Sequence, residues 1–408
     1  MTDSIVELEI EALAYGGSGV GTVTNGPTAL KGKRGFVPFS APGDRVRARV
    51  VNDKQTFVEA ALLQVLHPSD YRTSPRCQYF GACGGCDYQH ITLQAQREAK
   101  RALVESTLLR QFKVIPQQGV TLIGAELPGW EYRRRISLHV DAAGNMGFYR
   151  PRSGEVVAIA QCAISSPEIN RAIGLLVEPI GKLAPLVAGV IIEETQQGPS
   201  ILIKPRVPTA ENDRQLDSLR GIFPSLHIES IEKRESEDAE TLGHFSQVNA
   251  AANKLLVSTI CERLSVSPIL ELYAGSGNFT LPLAHRGAQL TAVEVDKTLV
   301  RQAQLRAQEE GLQNRITFLA VSTEAFLRSY TPRGTILLDP PRSGAKVFAQ
   351  RASPNQVERI VYVSCSVPTL GRDLQILSKN GFQVHHTDVL DMFPQTHHVE
   401  TITELVPA

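Results

Sequence analysis

The sequence predicts an α/β chain in three parts: a small N-terminal β-barrel, a central α+β region with a cysteine-rich loop, and a C-terminal doubly wound sheet. Three observations predict it. Residues 1 to about 66 break into short alternating strands separated by glycine and proline turns. From about Gln247 onward, helical stripes and apolar strands alternate, the rhythm of a mostly parallel sheet. Between them, four of the six cysteines fall at positions 77, 83, 86 and 162. A chain of 408 residues has room for two or three cores, and the divisions expected are 1–66, 67–240 and 241–408.

In the first part, Val6 to Ile10 alternates, Gly16-Gly17-Ser18-Gly19 turns, and Pro42-Gly43-Asp44 leads into Arg45 to Val50. That last strand places Arg45, Arg47 and Arg49 on one face. Lys31, Lys33 and Arg34 add charge nearby. The first 60 residues hold seven basic and seven acidic side chains, so a solvated barrel face accounts for this segment as well as nucleic-acid contact does. In the central part a helix is expected from Leu93 to Phe112, and Tyr132 to Val140 begins basic and continues as an alternating strand. Ile231 to Glu240 is polar throughout and reads as an exposed connection. In the last part a helix carries Leu256, Val257, Ile260, Cys261 and Leu264 on one face, which makes Cys261 a core residue. Strands are expected at Ile269–Ala274, Leu290–Val295, Ile316–Leu319, Thr335–Asp339 and Ile360–Val363.

Lys plus Arg and Asp plus Glu both number 42, for zero formal charge. A neutral total leaves nucleic acid open, because a local basic face is enough. The acidic start lacks the basic-then-apolar order of a signal peptide, so a cytoplasmic location is expected. Ala172 to Ile192 is interrupted by Glu178, Pro179 and Lys182 and reads as a buried helix followed by a strand, not as a membrane span. Without a secretion signal, the cysteines point to metal binding or catalysis before disulfides.

The first strand of the C-terminal sheet ends in Glu271-Leu272-Tyr273-Ala274-Gly275-Ser276-Gly277. Two glycines permit a sharp turn with a ligand against the backbone. A dinucleotide fingerprint would want a third glycine where Thr280 stands. Glu294 closes the second strand, where an acid accepts hydrogen bonds from ribose hydroxyls. The combination suits S-adenosylmethionine, which has no pyrophosphate to cradle; a generic nucleotide site is the alternative. The fourth and fifth strands run into Asp339-Pro340-Pro341-Arg342 and Ser364-Cys365-Ser366. Both endings fall at the carboxyl edge, where ligands bind, so Cys365 is placed to react. His397, His398 and Glu400 are rival bases in the tail. Cys77, Cys83, Cys86 and Cys162, with glycines at 81, 84 and 85 for a tight loop, suit zinc or an iron–sulfur cluster.

At these residues the chain resembles the RNA (uracil-5-)-methyltransferase family over essentially its whole length. The N-terminal barrel resembles a TRAM domain, an OB-like RNA-binding module, through Gly16-Gly17-Ser18-Gly19-Val20-Gly21 and Gly35-Phe36-Val37-Pro38. The resemblance implies a Rossmann-like class I methyltransferase domain at the C-terminus. It implies a [4Fe–4S] cluster on Cys77, Cys83, Cys86 and Cys162. Phe245-Ser246-Gln247-Val248-Asn249 is similar to the family's F-x-Q-V-N, which implies Gln247 at cofactor or base and Phe245 stacking on a base. Tyr273, Gly275, Gly277, Glu294 and Asp339 are implied in the cofactor and substrate pocket, Cys365 as nucleophile and Glu400 as base. It further implies that sequence around the helix after Cys86 packs with the catalytic domain, so that the central domain is discontinuous. Family members often carry Cys where Ala274 stands and Asn where Ser366 stands.

The chemistry explains the residue types. C5 of uracil is a poor nucleophile, and a thiolate added to C6 pushes electron density onto C5. Proton loss from C5 then requires a general base. A cytosine-5 methyltransferase commonly has cysteine after the aspartate–proline pair; Pro341 and Arg342 stand there. An RNA-binding or assembly protein that kept the fold and lost catalysis is the rival of another class, opposed by Cys365, Glu400, Asp339 and Gln247 occurring together. The expected substrate is ribosomal RNA before transfer RNA, with Lys31, Lys33 and Arg34 as phosphate contacts. No obligate protein partner is evident.

Overall fold

The computed structural model describes residues 4–195, 197–207, 209–221, 226–228, 247–264 and 268–408. The polar connection at 231–240 and Phe245 lie outside the described residues. The chain forms two compact units. One comprises Met1–Gln96, Pro128–Ala250 and Phe393–His397; the other comprises Arg97–Leu127, Ala251–Met392 and His398–Ala408.

The first unit opens with β1 (Ile5–Leu13), β2 (Gly19–Asn25), β3 (Arg34–Val37), β4 (Arg45–Asp53) and β5 (Phe57–His67). They close a barrel in the order β1-β2-β3-β5-β4. Alternation decides which side of each strand goes in: Val46, Ala48 and Val50 are buried with Val6, Leu8 and Ile10, while Arg45, Arg47 and Arg49 face out. Gly21 is required where β1 passes, since a Cβ there would lie 1.8 Å from the Glu9 carbonyl oxygen.

After α1 (Leu93–Thr107) and β6 (Val120–Ile123), the chain continues through β7 (Arg135–Val140), β8 (Met146–Tyr149) and β9 (Val156–Ala158). Then come α2 (Pro167–Lys182), β10 (Val187–Thr195), β11 (Gly198–Pro205), α3 (Ala210–Leu216) and β12 (Leu226–Ile228). The strands of this segment make a six-stranded sheet, β12-β11-β10-β7-β8-β9. Ser166 caps α2 by accepting from the Ile169 N–H, and Pro167 starts it. The helix buries Ile169, Ala172, Ile173, Leu176 and Ile180 in one cluster with Ile136, Leu138, Val190, Ile192, Ile201 and Ile203 of the sheet. The apolar stretch at 172–192 is therefore a helix and a strand, and no described helix is long and apolar enough to cross a membrane.

The second unit is built from α4 (Ala250–Arg263), β13 (Ile269–Leu272), α5 (Thr280–His285), β14 (Leu290–Glu294), α6 (Lys297–Glu309) and β15 (Ile316–Ala320). It continues with α7 (Thr323–Ser329), β16 (Gly334–Leu338), α8 (Lys346–Arg351), β17 (Val357–Ser364), α9 (Val367–Lys379), β18 (Phe382–Leu390) and β19 (Glu400–Pro407). The sheet order is β15-β14-β13-β16-β17-β19-β18-β6. Across the sheet from β15 to β17 the strands are parallel, and β19 runs antiparallel to both β17 and β18. The winding reverses between β13 and β16, which opens a crevice at their carboxyl ends. Central strands covered on both faces are mostly apolar, and every residue of β13 is buried, Glu271 being its one polar member. Cys261 sits in the core of α4 beside Leu256 and Ile260.

Candidate active site

The chain segments just beyond β13, β14, β16 and β17 line the crevice. After β13 the backbone enters the left-handed region at Tyr273 (φ 64°), Gly275 (φ 56°) and Gly277 (φ 86°). For Tyr273 this is a strained conformation, of the kind that gathers at functional sites. Above Gly275 the space is open, with no atom within 4 Å of where a Cβ would stand. Glu294, at the end of β14, accepts from the Gly275 N–H (2.9 Å), the Val295 N–H (2.7 Å) and the Asp296 N–H (2.9 Å). One carboxylate thus ties the glycine turn to the second strand, and Asp296 caps α6. Beneath the turn, buried Glu271 accepts from the Thr280 hydroxyl at 2.6 Å, and burial pushes its carboxyl up to about 8.

Cys365 comes directly after β17. In the antiparallel register Ser364 pairs with Thr401, so the next residue outward on each strand is Cys365 on one side and Glu400 on the other. The Thr401 hydroxyl donates to the Ser364 carbonyl at 2.9 Å, which locks that register at its last rung. Cys365 is half-buried and Glu400 is buried. Burial pushes the Cys365 thiol up; the nearby Glu400 and Asp339 carboxylates push it further, and Arg342 opposes them. Burial, then Asp339, raises Glu400 well above the ordinary carboxylate range. Asp339 itself is pushed up to about 7 by burial. Three groups within electrostatic reach of one another all favour the protonated state, with burial as the leading cause in each.

A buried clamp that the sequence did not reveal holds the loop after Asp339. Asp373 of α9 accepts from the Ala345 N–H (2.7 Å) and the Tyr362 hydroxyl (2.8 Å). The Thr369 hydroxyl donates to the Arg342 carbonyl (3.1 Å), and Arg372 donates to the Ser343 carbonyl (2.8 Å). The loop carrying Pro340, Pro341 and Arg342 is thereby fixed to the helix that starts just after Cys365.

The other expected site residues belong to the first unit. Gln247 is half-buried, and its neighbour Val248 accepts from the Arg134 N–H at 2.9 Å. His397 gives its ring to Asp87 at 2.6 Å. Cys77, Cys83, Cys86 and Cys162 line one cavity with Tyr79, Phe148 and Arg133. Burial raises the thiols of Cys83 and Cys86, the latter to about 12. Among the described residues no three His, Cys, Asp or Glu side chains converge as the ligands of one metal ion. Of the basic residues on the barrel, Lys33 pairs with Asp53 at 2.6 Å and Arg34 with Glu11 at 2.7 Å, while Lys31 is exposed. Two of the three expected phosphate contacts are thus engaged within the barrel.

An α/β sheet with a thiol and two raised carboxyls at its ligand-binding edge is the arrangement expected of an enzyme. A family model described as tRNA (Uracil-5-)-methyltransferase matches residues 227–406. The chain is 32% identical to 23S rRNA (uracil(1939)-C(5))-methyltransferase RlmD of Haemophilus parainfluenzae, covering 98% of this chain and 96% of that protein. It is 34% identical to the protein of the same description from Acidithiobacillus ferrooxidans, covering 96% and 95%. Among solved structures, tRNA (uracil-54, C5)-methyltransferase of Pyrococcus abyssi in complex with S-adenosyl-L-homocysteine matches with a TM-score of 0.70 at 22% identity, over 98% of this chain and 100% of that one. That likeness is one of fold. The chain belongs to the RNA (uracil-5-)-methyltransferase family.

Proposed function

We propose that the chain is a class I methyltransferase that methylates C5 of a uridine in 23S ribosomal RNA, with Cys365 as nucleophile and Glu400 as base. The observation that carries this reading is the β17–β19 register, which sets a thiol and a carboxyl opposite each other at the carboxyl edge of the sheet. Both curated relatives are named for 23S rRNA, which favours ribosomal over transfer RNA.

The residues present suit S-adenosylmethionine. Gly275 opens on free space, Gly277 completes the turn, and Glu294 has acceptor capacity beyond its three backbone donors. Tyr273 and Asp339 complete the set assigned to cofactor and base in this unit. When bound, S-adenosylmethionine supplies an electrophilic methyl group. Cys365 gives up its proton to solvent, and the thiolate adds to C6 of a uridine flipped out of its stack and so enriches C5. Once C5 is methylated, Glu400 takes the C5 proton, the C6–S bond breaks and the thiolate leaves. Glu400 acts in its ionised form, and the burial that raises its affinity for a proton makes that carboxylate the stronger base.

Cys77, Cys83, Cys86 and Cys162 suit a [4Fe–4S] cluster better than zinc. They share one cavity, and these four cysteines are the ligand set that the family resemblance assigns to a cluster. The cluster would hold the loop and take no part in methyl transfer. The barrel at 1–66 and Phe245 are assigned to RNA contact.

The test is incubation of the purified protein with unmodified 23S rRNA and tRNA transcripts and S-adenosylmethionine, followed by nucleoside mass spectrometry. 5-Methyluridine in the 23S transcript is expected. Product only in tRNA would move the substrate, and product in neither would overturn the reading.

A further inference from the structure

One row of residues crosses the six-stranded sheet on the face away from α2. Lys204 of β11 pairs with Gly189 of β10, Gly189 with His139 of β7, His139 with Gly147 of β8, and Gly147 with Ala158 of β9. Neither glycine tolerates a side chain: a Cβ on Gly147 would meet the Val157 carbonyl oxygen at 1.8 Å, and one on Gly189 would meet that of Leu138 at 2.8 Å. His139 therefore stands between two bare positions. Tyr149, two residues beyond Gly147, stacks on His139, with ring centroids 3.8 Å apart and planes 18° apart.

The outer side of this pair is open: Tyr149 is 43% exposed. Burial and then Lys204 hold His139 below its ordinary value. The turn after β8 presents Arg152, exposed and in the left-handed region (φ 57°). Among the described residues neither Lys204 nor Arg152 has an acidic partner, whereas neighbouring Arg150 pairs with Glu155 at 3.1 Å. Tyr149 is also held from behind, because its carbonyl accepts from the Gly84 N–H of the cysteine loop at 2.9 Å.

We infer that the Tyr149–His139 stack, with Lys204 in the same row of the sheet and Arg152 exposed on the turn that follows Tyr149, is a platform for an unpaired base of the RNA substrate. The inference rests on the proposed RNA function. A flat aromatic face with free cations beside it matches a base and its phosphates, and base–aromatic stacking is tolerant of sequence. The competing view is that Tyr149 merely covers the bare position at Gly147, as aromatics do on sheets.

The test measures affinity of the full chain for an unmodified 23S rRNA transcript. Tyr149→Ala is expected to weaken binding about 5- to 150-fold, the range for losing one stack, without altering the salt dependence. Tyr149→Phe keeps the ring and restores affinity to within about twofold. Lys204→Ala lowers the slope of log K against log salt by about one. A folded Tyr149→Ala protein that binds like wild type overturns the platform. If that variant does not fold, wild-type protein crosslinked to a 4-thiouridine transcript decides: adducts within 146–158 support the platform, and their absence overturns it. A wild type that methylates the transcript while Tyr149→Ala binds normally refutes the platform alone. A wild type that methylates no RNA refutes the functional reading instead.

Discussion

Replacing Asp373 by alanine would remove the centre of the clamp behind the active-site loop. Asp373 is fully buried and accepts from the Tyr362 hydroxyl and the Ala345 N–H. A buried donor left unmade costs about 1–3 kcal/mol, so two set a range of about 2–6 kcal/mol. The Ala345 N–H keeps the Tyr362 oxygen at 3.0 Å as a second acceptor, which places the expected loss in the lower half, about 2–4 kcal/mol. The ion pair to Arg372, itself 36% exposed, adds little. Asp373→Asn keeps an acceptor and should lose about half as much. Hydrogen exchange at β16 and β17 is the suitable assay, because it reads those strands directly, whereas the single tryptophan, Trp130, lies in the first unit. Freed from Asp373, the loop after Asp339 also moves, and misplacement by about 1 Å costs on the order of 100-fold in rate. A loss below about 1 kcal/mol with methyl transfer intact would refute the clamp.

Burial between Phe39 and Phe80 pushes His90 from about 6.5 down to about 4. The unfolded chain therefore binds a proton that the folded one refuses, and stability is lost as pH falls from about 6.5 toward 4, by about 2 kcal/mol between pH 7 and 5. His90→Phe should flatten that dependence in urea titrations, and an unchanged slope would exclude His90 as its source. Replacing Lys31, Lys33 and Arg34 together should weaken RNA binding and reduce its salt slope; an unchanged slope would mean that this edge of the barrel does not meet phosphate. Cys86→Ser should lower the iron content and thermal stability of anaerobically purified protein, and a full iron complement in that variant would remove Cys86 from the ligand set.

The barrel was legible in its alternation: Arg45, Arg47 and Arg49 out, Val46, Ala48 and Val50 in. The parallel strands were legible as apolar runs, to within a few residues at their ends; β17 starts three residues early, at Val357, because pairing with β16 extends it. The place of Cys365 just past a strand end was legible because the apolar run of β17 stops at Ser364. Partners distant in sequence were not. Nothing in Val120–Ile123 announces pairing with Thr387–Leu390, and Lys33 and Arg34 gave no sign of Asp53 and Glu11. Asp373 sits within an amphipathic helix and looks like any polar surface position until Tyr362 and Ala345 are brought against it.

The most direct measurement uses Glu400→Gln with an unmodified 23S rRNA transcript and S-adenosylmethionine, followed by peptide mapping of any protein–RNA adduct. If Cys365 adds to uracil and Glu400 removes the C5 proton, the variant accumulates a methylated adduct whose linkage maps to Cys365, and Cys365→Ala forms none. Normal turnover by Glu400→Gln, or an adduct that maps elsewhere, would contradict the assignment of nucleophile and base.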